Sequence, residues 1–590
     1  MIEATIRLFK GVLKNNKNTD ALFALVNQEA TKHGLIAPKE ICSEELYEYF
    51  KNKPVNNRNT TFYKTWNEVT SKNRFTLFID QITHYLSTYG TNFEDEAYIP
   101  NNNPEITPFD SYTVIKSLSK KEIINNCEKL VSANVALDEN TIKDILTIFT
   151  HLNHTTNYDI VNNKEILMHL HDINNTIPNS PVEMVRFLLF KSTGKTLLIK
   201  DKNTINNIKI GKDVSEIIKE CGLEKLAIVF YRFKPIFLAL KNENNASLIN
   251  KIRRLANKYH KPMETGYFEN ILSKKKNIEE VTEKLKTLNN FKKITLLNTI
   301  LNKLDNKSNF SPYTIRNGKL YVKEHKTLNI DDNYLEILYD TIYDSLISSI
   351  GKKACKVILP ENINIAMPTS SKKFIGEVPF GSIIKMNNTD NIIGIHWKDK
   401  NGAKDIDLSA IDFSGNKIGW NAGYYNANNS VIYSGDMTSA NPEATELLYT
   451  SGNFKPSIVN VNLYHGEPNS KFEFFIAQEQ ITDMRKGYMV NPNNIVFKTD
   501  CTFENEKEQI LGIVTKKEFV FQSMKINARN VSSNSAWKQG YINYMINSIK
   551  NTVMLNNVLV DAGFEIVKKQ GKNILDLSNF SKAQILNLVS

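Results

Sequence analysis

The carboxylates between residues 393 and 446 are the side chains whose types and spacing point most directly to chemistry. From 401 to 450 six acidic residues (Asp405, Asp407, Asp412, Asp436, Glu443 and Glu446) stand against two lysines, a net of −4 in a chain of net +11. Asp405-Ile-Asp407 opens a strand-like run, and strand alternation turns both carboxylates to one face. Asp436 follows Gly435 on a second segment. Hard divalent cations take oxygen donors, and calcium accepts irregular cages of carboxylates and carbonyls, so these three are candidate ligands if the two segments meet. Asp and Asn are also ordinary turn and capping residues, and that plainer role stands beside the first. Asp407-Leu-Ser409-Ala-Ile411 lacks the second serine of a metal-dependent adhesion motif.

A second chemistry is carried by positive charge. Residues 251–300 hold twelve Lys and Arg against five acidic residues. Within 230–262, Arg232, Lys234, Arg253, Arg254, Lys258 and Lys261 lie beside Tyr231, Phe233 and Tyr259. Basic groups that neutralise phosphates next to aromatic rings on which bases stack are the combination used to bind single-stranded RNA. A charge run is also commonly no more than a solvated helix face.

Other apparent motifs fail. Gly194-Lys195-Thr196 resembles the end of a phosphate-binding loop, but Leu189 stands where its first glycine belongs, and Leu197–Lys200 reads as a strand where a helix is required. His151-x-x-His154 and His169-x-His171 lack the neighbouring Glu of a zinc hydrolase. The five cysteines (Cys42, Cys127, Cys221, Cys355, Cys501) show no CxxC spacing, so neither a disulfide framework nor a cysteine zinc site is supported. No nucleophile with a base and no paired acid and base stand out, and the chain reads as a non-enzyme.

The elements that must position these groups change in period along the chain. At 590 residues several domains are expected. Residues 1–108 read as a small helical domain ending in the Asn/Pro-rich 97–108. Residues 109–352 read as helical, with segments at 138–152, 182–191, 214–221, 247–260, 281–304 and 333–350, and a hairpin at 311–330 turning at Asn317-Gly318. From 353 to 525 the period becomes two, with short strands expected at 355–359, 382–386, 392–397, 405–412, 420–425, 430–434, 457–464, 472–477, 495–498, 510–514 and 518–523. That spacing predicts an antiparallel β-sandwich. Residues 526–590 revert to helix, at 537–550 and 582–589. The fold class is therefore α+β and multidomain. The N-terminus lacks a signal-peptide pattern and no apolar stretch reaches membrane-spanning length, so a cytoplasmic protein with no membrane partner is expected.

Read in order, Ile395-x-Trp397, Asp405-Ile-Asp407-Leu-Ser-Ala410, Val431-x-Tyr-Ser-Gly-Asp436, Glu443-Ala-Thr-Glu446 and Ile458-Val-Asn-Val-Asn-Leu-Tyr464 resemble the TerD family over roughly 375–480. They are most similar to its divergent members fused behind long helical regions in bacterial and phage proteins. The resemblance implies a calcium-binding β-sandwich without established catalytic activity, linked to tellurite resistance, phage defence and stress response. It carries Asp405, Asp407, Asp436 and Glu446 over as acidic ligand positions, Glu446 at the acidic end of a loop. It also departs from the family, because Ala444 and Thr445 stand where better studied members have a carboxylate pair. Residues 225–300 faintly resemble the helical TROVE modules of Ro-like RNA-binding proteins. The resulting expectation is a cytoplasmic scaffold or stress-response protein with protein partners and a calcium site. A single-stranded RNA-binding protein and a structural component of a phage particle or other large assembly are the alternatives.

Overall fold

The computed structural model describes the chain except residues 16–18, 54–70, 74, 78, 81, 83–107, 201, 262–265, 273–274, 306–309, 315–319, 325–330, 387–389, 400–402, 413, 427, 439, 441–442, 453, 468, 482–487, 504–506, 524–550 and 569–573. Two of the expected features, the Asn317-Gly318 turn and the 537–550 helix, lie outside the described residues, as does most of the 97–108 boundary. The architecture is α+β, with helices through the N-terminal two thirds and antiparallel sheets toward the C-terminus. The chain divides into two compact units, one of residues 124–276 and one of residues 1–123 with 277–590.

The 124–276 unit is helical. Two of its helices start where a short polar side chain satisfies a first-turn N–H group: Asp138 accepts from Thr141 N ahead of Glu139–His151, and Asn163 from Ile166 N ahead of Lys164–Ile173. The Pro181–Thr193 helix ends at Gly194 with φ 72°, so the Gly-Lys-Thr run is a helix terminator. Leu197–Lys200, expected as a strand, belongs to no regular element. Leu226, Phe230, Ile236 and Phe237 pack with Ile249, Ile252 and Ala256 into the core of this unit.

In the larger unit, twelve strands form two sheets and are numbered here: β1 Ile363–Asn364, β2 Ile383–Lys385, β3 Asp390–Lys398, β4 Asp405–Asp412, β5 Lys417–Gly419, β6 Val431–Tyr433, β7 Glu443–Ser451, β8 Ser457–His465, β9 Lys471–Ala477, β10 Ile495–Thr502, β11 Glu508–Val514 and β12 Glu518–Phe521. One sheet runs β5-β4-β8-β11-β12-β2-β1 and the other β6-β7-β3-β9-β10. Every strand pair within them is antiparallel. Phe474 of β9 meets Phe519 and Phe521 of β12 at ring-centroid distances of 5.2 and 6.0 Å, which joins the two sheets face to face. The second sheet is buried on its outer side too, where Ile392, Leu447, Tyr449 and Phe475 pack with Ile481 and Val490. Burial on both faces accounts for the nearly unbroken apolar runs in β3 and β9.

Two strand expectations are corrected. Residues 420–425 form turns with isolated bridges instead of a strand. Glu443–Glu446, expected as a loop, begins the nine-residue β7. Glu-Ala-Thr-Glu-Leu-Leu carries little intrinsic strand preference, and pairing with β3 along the whole of β7 overrides it, β6 joining only at residues 448–450. The Lys582–Val589 helix near the C-terminus carries a Ser581/Gln584 capping box. This tail also holds two short strands, Glu565–Ile566 and Ile574–Asp576, parallel to Lys356–Ile358.

Candidate metal centre

Asp405 and Asp407 lie on β4, and Asp436 lies in the segment that follows β6. One carboxylate oxygen from each falls within 4.8 Å of the other two, and all three residues are 1–2% exposed. Strand alternation aligns Asp405 and Asp407 as expected. Asp436 reaches them because Gly435 adopts φ 117°, in a region that side-chain-bearing residues avoid. Asp407 Oδ2 is fully buried and accepts no hydrogen bond among the described residues.

The electrostatics are those of crowded like charges out of water. Burial is the main reason the Asp407 carboxyl lies well above the usual carboxylate range; the charges of Asp405, Asp436 and Glu446 add to it, and Lys417 opposes them. Burial likewise raises Glu446, followed by Asp436, against the N–H groups it accepts. The Tyr433 hydroxyl is raised by burial and then by Glu446, Asp436 and Asp407.

Glu446 lies inside β7 and is fully buried. Its Oε2 accepts from Leu408 N at 2.7 Å and its Oε1 from Met437 N at 2.9 Å. These are the residues directly after Asp407 and Asp436, so Glu446 clamps together the two backbones that carry the cluster. Strand alternation also resolves what Ala444 and Thr445 do. Ala444 shares the face of Glu446, while Thr445 points the other way, its hydroxyl 2.7 Å from Nδ1 of the buried His396. Glu443 is on that same opposite side, 3.2 Å from His396 Nε2 and 3.7 Å from Lys398 Nζ. A carboxylate at 445 would therefore lie outside the cluster, and only position 444 bears on it.

Four residues beside the cluster were not read as site residues from sequence. Ser409 continues the face of Asp407 on β4, and β8 places Asn462 opposite Asp407 and Asn460 opposite Ser409. Glu508 of β11 pairs with Asn462 and accepts from Asn460 Nδ2 at 3.0 Å. All four are 0–2% exposed. The available signal was Asn460 and Asn462 alternating with valines in an otherwise apolar strand.

The cationic candidates lie in the other unit. Lys234, Arg253, Arg254, Lys258 and Lys261 are exposed and Arg232 is partly so. Arg253, Arg254 and Lys258 stand on the Ala246–Tyr259 helix. The Tyr231 ring, 41% exposed, packs edge-on against His260 at 5.1 Å, and its hydroxyl donates to Asn257 of the same helix. Arg232 stacks over Phe233 at 5.0 Å and Lys258 over Tyr259 at 5.2 Å. The histidine pairs do not converge: His154 meets Glu128 at 3.0 Å, His171 meets Thr176 at 2.7 Å, and His169 lies edge-on to Phe190. The cysteines are all free. Among the described residues no helix is long and apolar enough to cross a membrane. Compared with protein-family models, curated proteins and solved structures, the chain matches none, and its chemistry is read from its own geometry.

Proposed function

We propose that the protein is a non-enzymatic scaffold or sensor whose β-sandwich takes up a calcium ion between Asp405, Asp407 and Asp436. The carrying observation is the convergence of three buried carboxylates within 4.8 Å, one of whose oxygens is orphaned. Opposed oxygens across a calcium ion lie about 5 Å apart, twice a bond of 2.3–2.6 Å, so the cluster has the right span; across magnesium the figure is about 4 Å. A donor set made only of oxygen favours such hard cations over zinc or copper. Glu446 positions the ligands, and Ala444 leaves the site one carboxylate short of the family pattern it resembles. A role in stress response or defence is what that resemblance adds.

The test is calcium titration of the full chain by calorimetry, with wild type against Asp405→Asn with Asp436→Asn. Saturable binding in wild type that the double variant lacks supports the proposal; no calcium heat in wild type overturns it.

A second reading has its own support: single-stranded RNA binding by the helical unit. The Ala246–Tyr259 helix has no acidic residue, and Tyr231 is held beside it with part of its ring open to solvent. Arg253→Glu with Arg254→Glu should abolish salt-dependent binding of an oligo-U probe, and binding unchanged by the reversal would remove this surface.

A further inference from the structure

The polar face of the sandwich interior does not stop at the three aspartates. Along β4 it continues from Asp407 to Ser409, and across the sheet from Asp407 to Asn462 and Glu508. Residues opposite one another on paired strands have Cβ atoms about 5 Å apart. Ser409 and Asn460, both 0–1% exposed, are such neighbours, and Ser409 Oγ and Asn460 Oδ1 each have no hydrogen-bond partner among the described residues. Asn460 turns its amide nitrogen toward Glu508 Oε1 at 3.0 Å and Asn462 Oδ1 at 3.4 Å. Its oxygen is left for something else.

Two unmatched buried oxygens side by side are costly in an apolar sandwich core, where each forfeits the hydrogen bonds it would make in water. We infer that Ser409 and Asn460 form a second cation position beside the aspartates, with the Glu508 carboxylate behind the Asn460 amide, and that it takes an alkali cation, sodium or potassium. The charge around it selects the class. Glu508 brings one negative charge and the serine and asparagine oxygens bring none, so a monovalent ion closes the position to neutrality. A dication there would leave net positive charge out of water. The aspartates, with three carboxylates, have the opposite balance and suit a dication. The position adjoins the proposed calcium site without requiring that calcium binds.

The experiment measures thermal unfolding of the full chain by tryptophan fluorescence. Trp397 on β3 and Trp420, directly after β5, lie in the sandwich, so the signal reports on it. In chelator, at constant ionic strength, potassium or sodium chloride should raise Tm over choline chloride by roughly 2–4 °C. Ser409→Ala, the mild variant, should keep its Tm in choline and lose the alkali rise; Asn460→Leu should lose it too. Thallium(I) soaked into crystals should give anomalous density between Ser409 and Asn460. An alkali rise that persists in Ser409→Ala, equal Tm in choline and potassium for wild type, or water in place of thallium would each overturn the inference. A calcium response absent from wild type while the alkali rise remains would sink the calcium proposal alone. An alkali rise absent while calcium still binds would sink this one alone.

Discussion

Replacing Asp407 by asparagine should move stability in opposite directions with and without calcium. Asn keeps the shape of Asp and removes one charge from a cluster whose oxygens lie within 4.8 Å of one another. At an effective dielectric of about 20, one ionised pair at that separation costs about 3 kcal/mol. Asp407 takes part in two such pairs with Asp405 and Asp436, and the repulsion is already relieved in part by protonation, the direction in which its carboxyl is pushed. A net gain of about 2 kcal/mol is therefore expected for Asp407→Asn in chelator, a rise in Tm of roughly 4 °C. With calcium about a thousandfold above Kd, wild type gains about 4 kcal/mol and the variant little, so the order of the two proteins reverses. Chelator and calcium melts of both proteins, followed by tryptophan fluorescence, supply the four numbers. Should the variant melt below wild type in chelator and neither respond to calcium, the carboxylates are held by ordinary structural hydrogen bonds and the reasoning fails.

Three further outcomes follow from the same geometry. Glu446→Gln retains one oxygen for the two N–H groups of Leu408 and Met437, and should cost about 1–3 kcal/mol in urea midpoint and lower calcium affinity about tenfold or more. Thr445→Val faces His396 instead of the cluster, so it should change calcium affinity less than twofold in calorimetry while losing about 1 kcal/mol of stability with its hydrogen bond. His33 is buried against Phe50, and its pKa is lowered to about 3, chiefly by burial and then by Lys53 and Lys498. Its unfolded counterpart protonates near 6.5, so the folded state keeps its full advantage above that pH and loses up to about 1.4 kcal/mol for each unit below it, down to about 3. Urea midpoints at pH 7 and pH 5 should differ by about 2 kcal/mol more for wild type than for His33→Leu.

What the sequence by itself determined was local. The period-two alternation of Ile458–Tyr464 and Ile393–Trp397 and the helical period of 247–260 are properties of short stretches, and neighbouring side chains suffice to specify them. The shared face of Asp405 and Asp407 was legible for the same reason, since alternation needs no partner strand. What only the tertiary structure decided was anything that two distant segments settle together. Residues 443–446 look like a polar loop in isolation and become part of a strand because β3 pairs with them. Glu446, expected as one more ligand, also clamps the cluster, because its oxygens meet N–H groups from residues 408 and 437. The roles of Ala444 and Thr445 separate only once the strand exists and its faces are assigned. Ser409, Asn460 and Glu508 come from three strands, and only the register of β4 on β8 and of β8 on β11 makes them neighbours in the buried interior.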